Sequence, residues 1–326
     1  MANSTETHHE ISKLDADQLE LLKNTTFTNH GGGVIQFHNV LDIPQDRVLP
    51  YIDEHAYVPS CGFQIKERDD GTKYIIDGEG NEGDYQILLG LPMRLGGYGM
   101  DGPVESYTPD DIRDFFVNCE KGLYRCLIRY IDVFPMIVNT LWWKNRGHVL
   151  KYVPGASLGI HNDNDTNYRV WNNQRHFTQR EVAMYQVVNA IIYFNDDYEG
   201  GEFYFPYLDL SLKPKPGDIV FFPANYVGTH AVTQVTSGHR YTYLAQFGHG
   251  MTSGGEIVEA TESTDWLPPV YFPFLHQDYK KLLDKGLSVY DVDKDKRKGF
   301  HGSNIYAQER VTEGPGLGNF IQYEDF

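Results

Sequence analysis

Tyr152-Val-Pro-Gly-Ala-Ser-Leu-Gly-Ile-His-Asn-Asp163 runs from the end of one strand, through turn residues, into a second strand that carries His161 and Asp163. Positions i and i+2 of a strand point to the same face. One imidazole and one carboxylate can therefore converge on a single ion. A third ligand must come from elsewhere, and His230 in Gly228-Thr-His-Ala-Val232 is the best candidate. Asp165 is a rival to Asp163, but its spacing breaks the i, i+2 geometry. His239 is a rival to His230, but it sits at a turn edge. An H-x-D pair alone is common by chance and usually lies on a surface, so its meaning depends on what surrounds it.

Outward from this stretch, the sequence from Leu141 breaks into short β-like runs separated by turn residues. The expected strands are 140–144, 148–152, 159–163, 183–194, 202–205, 219–222, 229–235 and 240–247. Short strands at this spacing indicate a sandwich or barrel. Upstream the texture is helical, with a strand over Gly33–Leu41. A weak amphipathic helix is expected around Lys13–Asn24 and another over Pro44–His55. A long helix follows Thr108-Pro-Asp-Asp111 and ends near Pro135. Thr108 suits the N-cap, Pro109 the first helical position, and the two acids the positive helix end. Helices first and antiparallel strands later predict a mainly β fold with supporting α, and argue against an alternating parallel α/β sheet. Three zones emerge: a polar lead-in over 1–30, an organised domain over 31–250, and an extension over 251–326 rich in Gly, Pro and charge.

Two histidines and one carboxylate on one face of an octahedron leave positions open for a co-substrate and dioxygen, the ligand set of non-haem Fe(II) oxygenases. Arg240 lies ten positions after His230, and Thr236-Ser-Gly238 between them reads as a three-residue hairpin loop with Gly in the left-handed position. With that loop, His230 would face Leu244 and Arg240 would face Gln234. His230 and Arg240 would then share a face at roughly 13 Å, taking ~3.3 Å per residue. A five-carbon diacid held at one end by a metal could reach such a guanidinium, whose planar fork binds carboxylates in bidentate fashion.

Tyr152 to Asp163 resembles the Y-x-x-G…H-x-D segment of prolyl 4-hydroxylase-like oxygenases. Asn189-Ala-Ile-Ile-Tyr-Phe-Asn-Asp-Asp-Tyr-Glu-Gly-Gly-Glu-Phe-Tyr-Phe-Pro206 is similar to their strand followed by E-G-G-E and a later F-P. Lys213-Pro-Lys-Pro-Gly-Asp-Ile-Val-Phe-Phe222 is similar to their P-x-x-G-x-x-x-x-F segment, and His230 and Arg240 follow in the expected order. The resemblance implies a double-stranded β-helix (jelly-roll) core that uses Fe(II), 2-oxoglutarate and O2, with ascorbate as a supporting reductant. His161, Asp163 and His230 map onto the metal ligands, and Arg240 onto the residue that holds the distal carboxylate of 2-oxoglutarate. Many prolyl hydroxylases have Lys there, so Arg240 departs from that subgroup. Tyr152 and Asn189 map onto co-substrate contacts. Asp163 fills the place that halogenases of this superfamily leave for chloride, which favours hydroxylation. Glu199-Gly-Gly-Glu202 reads as architecture, because paired glycines permit a tight turn or bulge.

The stretch from Asn167 to Phe177 is polar, aromatic and too rich for a minimal connection. Tyr168, Arg169 and Trp171 are its candidate substrate contacts, the plain alternative being a surface loop capped by one packed Trp. A tail helix over Phe274–Lys285 could lie over the barrel mouth or form a homodimer contact, and the sequence leaves both open.

The chain has 326 residues, with 40% hydrophobic and 14% aromatic content, enough for a sizeable core. Its formal charge of -17 repels nucleic-acid phosphates and anionic membranes. No signal-peptide pattern or uninterrupted apolar span is visible. Three cysteines without CxxC spacing fit reduced thiols. A cytoplasmic protein that binds neither nucleic acid nor membrane is the expectation. The acidic balance, the aromatic insert and the tail favour a small-molecule substrate, an amino acid or natural-product intermediate, over a prolyl residue in a peptide. A non-catalytic barrel that only binds, and a zinc hydrolase with the same ligands, are the readings from other function classes.

Overall fold

The structure, a computed structural model, describes residues 13–55, 64–76, 80, 82–85, 87–89, 109–141, 143–144, 148–163, 186–248, 270–271 and 275–289. Four helices fall among them: α1 (Ala16–Asn24), α2 (Gln45–His55), α3 (Asp110–Val133) and α4 (Leu275–Asp284). The strands, in chain order, begin with β1 (Thr26–Gly31), β2 (Val34–His38), β3 (Gln64–Glu67), β4 (Lys73–Ile76), β5 (Glu82–Asp84) and β6 (Ile87–Leu89). Then come β7 (Trp143–Lys144), β8 (His148–Tyr152), β9 (Leu158–His161), β10 (Gln186–Tyr193), β11 (Glu199–Gly200) and β12 (Phe203–Phe205). The last are β13 (Leu210–Leu212), β14 (Ile219–Pro223), β15 (His230–Val232), β16 (Val235–Ser237), β17 (Arg240–Gly248) and β18 (Val270–Tyr271).

A nine-stranded sheet runs in the order β1-β2-β14-β10-β17-β7-β18, with β8 paired to β17 and β6 to β8. Facing it is a four-stranded sheet in the order β13-β12-β15-β9. The two enclose one apolar interior, and the mainly β jelly-roll expected from the sequence is the fold found.

Strand parity sorts the side chains of β10, β14 and β17 in the large sheet. On β10, Val188, Ala190 and Ile192 pack with the helices, whereas Ile191 and Tyr193 pack between the sheets. On β14, Ile219 and Phe221 face the helices and Val220 and Phe222 the interior. On β17, Tyr241, Tyr243, Ala245 and Phe247 face the helices, so Arg240 points the other way by the same alternation. Both faces are covered, which is why β10 reads as an almost unbroken apolar run. Each fully buried Phe or Ile contributes about 1.5–3 kcal/mol.

The helix layer is centred on α3. Phe115, Phe116, Leu123 and Leu127 recur at helical spacing and are buried against the sheet. Pro109 occupies the N-cap, one place earlier than expected, and makes no side-chain cap bond; Thr108 lies outside the described residues. Asp278 of α4 accepts from the Leu14 amide and from the Tyr124 hydroxyl of α3, both within 2.9 Å. The tail helix thus packs on α3 beside the start of the described chain. The hairpin β1–β2 crosses residue 30, where the sequence suggested a change of zone. Among the described residues no helix is long and apolar enough to cross a membrane.

Candidate metal and co-substrate site

His161 ends β9 and Asp163 follows two residues later, so both side chains leave the backbone toward the interior. His230 opens β15, and it is paired in register with His161. A non-local strand pairing, between residues 69 positions apart, brings the two imidazoles together. Their ring centroids are 4.3 Å apart, and ligand atoms of His161, Asp163 and His230 all lie within 4.8 Å of one another.

Each imidazole is oriented from behind. His161 Nδ1 lies 2.8 Å from the Gly159 carbonyl and His230 Nδ1 lies 2.9 Å from the Gly228 carbonyl. A carbonyl can only accept, so each Nδ1 carries the proton and each Nε2 presents a lone pair. Phe203, Phe205 and Phe222 surround the His230 ring at centroid distances of 4.9, 6.1 and 4.8 Å. That burial holds the His230 pKa down at about 4, against the pull of Asp163, so the ring is neutral near pH 7. Burial works to raise the Asp163 carboxyl, but His230, His161 and the Asn189 amide outweigh it and hold the pKa below the ordinary carboxylate value. Two imidazole nitrogens and one carboxylate oxygen suit a divalent first-row metal.

Arg240 opens β17 and is fully buried. Its guanidinium lies over the Tyr152 and Tyr193 rings, 5.0 Å from each centroid, and donates to the Tyr193 hydroxyl at 3.1 Å and to Thr242 at 3.4 Å. Burial opposes its charge, but the phenols of Tyr193, Tyr198 and Tyr152 outweigh that and raise its pKa. No carboxylate pairs with Arg240 among the described residues, and its Nε has no hydrogen-bond partner there. A buried cation without a counter-charge is costly unless an anionic guest completes it. The geometry therefore fits a carboxylate ligand.

The route proposed from the hairpin loop does not hold. Gly238 is left-handed as expected, with φ +73°. However, β17 pairs with β8 and β10, while β15 pairs with β9 and β12. His230 therefore does not face Leu244, whose partners are His148 and Ile191. His230 and Arg240 come from opposite sheets and meet one interior. Tyr152 is the register partner of Arg240 and lies beneath it. Asn189 is also inside, and its amide donates to Asp163. Tyr193 was not singled out from the sequence, although it shares strand parity with Asn189. His239 lines an open surface groove with Asp53, Asp197 and Tyr241, away from the triad. Asp165, Tyr168, Arg169 and Trp171 lie outside the described residues.

The paired glycines before β12 are architectural, as expected. Gly200 has φ +67°, and a Cβ there would lie 2.0 Å from the Gln234 carbonyl oxygen. A Cβ on Gly201 would crowd Val235, Tyr198 and the Arg240 side chain.

Residues 147–247 match the family model of the 2OG-Fe(II) oxygenase superfamily. Prolyl 3-hydroxylase 2 of Rattus norvegicus is 42% identical over 57 residues, which is 16% of this chain and 8% of the relative. Prolyl 3-hydroxylase 2 of Mus musculus is 34% identical over 129 residues, 38% of this chain and 15% of the relative. The chain thus spans a small part of the length of these relatives. Among solved structures, a viral collagen prolyl hydroxylase from Paramecium Bursaria Chlorella virus-1 in its 2OG complex is 16% identical with a TM-score of 0.33, covering 51% of this chain and 79% of that one. A prolyl hydroxylase from Trichoplax adhaerens, in complex with a hypoxia inducible factor peptide fragment, is 13% identical with a TM-score of 0.37, covering 76% and 94%. The expected preference for a small molecule over a peptide is overturned, because the curated relatives are prolyl hydroxylases. Net charge and an aromatic insert do not report whether the mouth of a barrel is closed or open. The triad lies inside the stretch, under a third of the chain, that is similar to the 2OG-Fe(II) oxygenase superfamily.

Proposed function

We propose that this protein is an Fe(II)- and 2-oxoglutarate-dependent dioxygenase that hydroxylates a prolyl residue within a polypeptide. The convergence of His161, Asp163 and His230 in a buried interior carries the reading. The buried Arg240 in the same interior, without a carboxylate partner among the described residues, supports it, and the prolyl 3-hydroxylase relatives support the choice of substrate.

In this account His161 and His230 hold the metal through Nε2 and Asp163 through a carboxylate oxygen. Bound Fe(II) supplies oxidative decarboxylation of 2-oxoglutarate coupled to oxygen activation. Arg240 binds the distal carboxylate of 2-oxoglutarate through its fork, and the Tyr193 hydroxyl and the Tyr152 ring orient that fork. The Phe203, Phe205 and Phe222 rings exclude water behind His230. The balance is one R–H, one O2 and one 2-oxoglutarate giving R–OH, succinate and CO2. The chain positions and shields the reactants, and the redox chemistry belongs to the metal and co-substrate.

The test incubates the full chain with Fe(II), 2-oxoglutarate, O2 and a library of proline-containing peptides. Mass spectrometry should find succinate formed in step with a peptide carrying one added oxygen on a proline. Coupling of succinate only to a free amino acid, or no peptide product, would refute the substrate assignment.

A further inference from the structure

We infer that Asn189 is a positioning residue for the metal site, dividing the work of the two Asp163 oxygens so that only one of them faces the metal. This rests on the metal-binding part of the function proposed above.

The two oxygens of Asp163 have different surroundings. Oδ1 lies 3.7 Å from His161 Nε2, the atom that presents its lone pair to the metal. Oδ2 accepts from Asn189 Nδ2 at 2.5 Å. The same Nδ2 also lies 3.1 Å from Gln186 Oε1. Both amide protons therefore have acceptors, one carboxylate and one side-chain carbonyl. The carboxylate fixes which way the amide lies, because the opposite orientation would set the Asn189 oxygen against Asp163 Oδ2.

The backbone makes this arrangement rigid. Asn189 lies on β10, between Phe222 of β14 and Gln246 of β17 in register. Phe222 packs on the His230 ring. Asn189 is completely buried, so water cannot readily substitute for its amide. A carboxylate with one oxygen tied to a neutral donor keeps its charge but loses the freedom to turn both oxygens to the metal. Side chains that orient metal ligands typically change affinity ~10–100-fold when replaced. Asn189 also keeps one amide oxygen, Oδ1, buried and without a partner among the described residues. Its donor side alone is committed to Asp163.

The experiment uses Co(II) as probe, because its visible absorption reports coordination number. The full chain, Asn189→Leu, Asn189→Ser and His161→Ala are prepared metal-free, and folding is checked by circular dichroism. Co(II) affinity and spectrum are then measured, together with the affinity of each metal-loaded protein for 2-oxoglutarate. Leu matches the size of Asn but donates nothing, and it should weaken Co(II) by ~10–100-fold and change the visible band. Ser keeps a hydroxyl donor and avoids overpacking, so it should recover part of the affinity and remains informative if the Leu variant fails to fold. Unchanged Co(II) affinity and spectrum in the folded variants would overturn the assignment, whether or not 2-oxoglutarate binding falls. If His161→Ala binds Co(II) as the parent does, the functional reading itself is wrong, and the assignment falls with it.

Discussion

His161 and His230 face each other across two antiparallel strands, in register, with ring centroids 4.3 Å apart. Sixty-nine positions of sequence separate them, so their meeting is a property of the jelly-roll pairing and not of any local motif. Each is held by the carbonyl of the glycine two residues earlier. Replacing either with Ala should abolish stoichiometric binding of a divalent metal while leaving circular dichroism near that of the parent. A variant that binds metal normally would remove that residue from the ligand set.

Arg240→Ala should raise the 2-oxoglutarate KM by ~10-fold or more, since a lost charge-assisted bond of about 1.5–3 kcal/mol corresponds to at least that factor. Metal affinity should stay within about twofold. Arg240→Lys should not restore the KM, because an ammonium cannot reproduce a fork held between two phenols. Steady-state kinetics with varied 2-oxoglutarate decides the matter.

Gly200→Ala should destabilise the protein by more than about 2 kcal/mol. The residue sits at φ +67°, and the new Cβ would collide with the Gln234 carbonyl, a backbone atom that cannot rotate away. Denaturant unfolding of the metal-free chain measures it, and a midpoint unchanged from the parent would contradict the tight approach of β11 to β16.

His276, near the start of α4, has its pKa held down at about 4 by burial. The unfolded chain takes up this proton as pH falls through ~6.5, whereas the folded chain resists until about 4. Stability therefore falls as pH drops through this window, by up to roughly 3 kcal/mol from this group. His276→Leu should flatten the slope of urea midpoint against pH between 7 and 4 in the metal-free protein. His230, depressed to the same value, would leave a residual slope of the same sign. An unaltered slope would show that His276 titrates normally.

Much of this architecture was legible because strands alternate. His148–Tyr152, Ile219–Phe222 and Arg240–Phe247 were each located from short runs, and the triad was named from an i, i+2 pair plus one distant histidine. The strand Thr26–Gly31 was missed because its residues are mostly exposed at a sheet edge and show no apolar face. The pairing of β15 was misjudged for a different reason. Val232 and Val235 read as one continuous strand, yet the chain leaves the small sheet after Val232, and β16 pairs with β11. A single sequence carries no direct record of which distant strand becomes a neighbour. Tyr193 could have been found by stepping four residues along β10 from Asn189, to the same face.

The central claim is that three side chains from two strands and a turn form one iron site. Anaerobic calorimetric titration of the metal-free chain with Fe(II) tests it most directly. The account predicts one ion bound per chain, with binding lost in His161→Ala, Asp163→Ala and His230→Ala alike. A parent protein that takes up no Fe(II), or single variants that bind it as well as the parent, would contradict it.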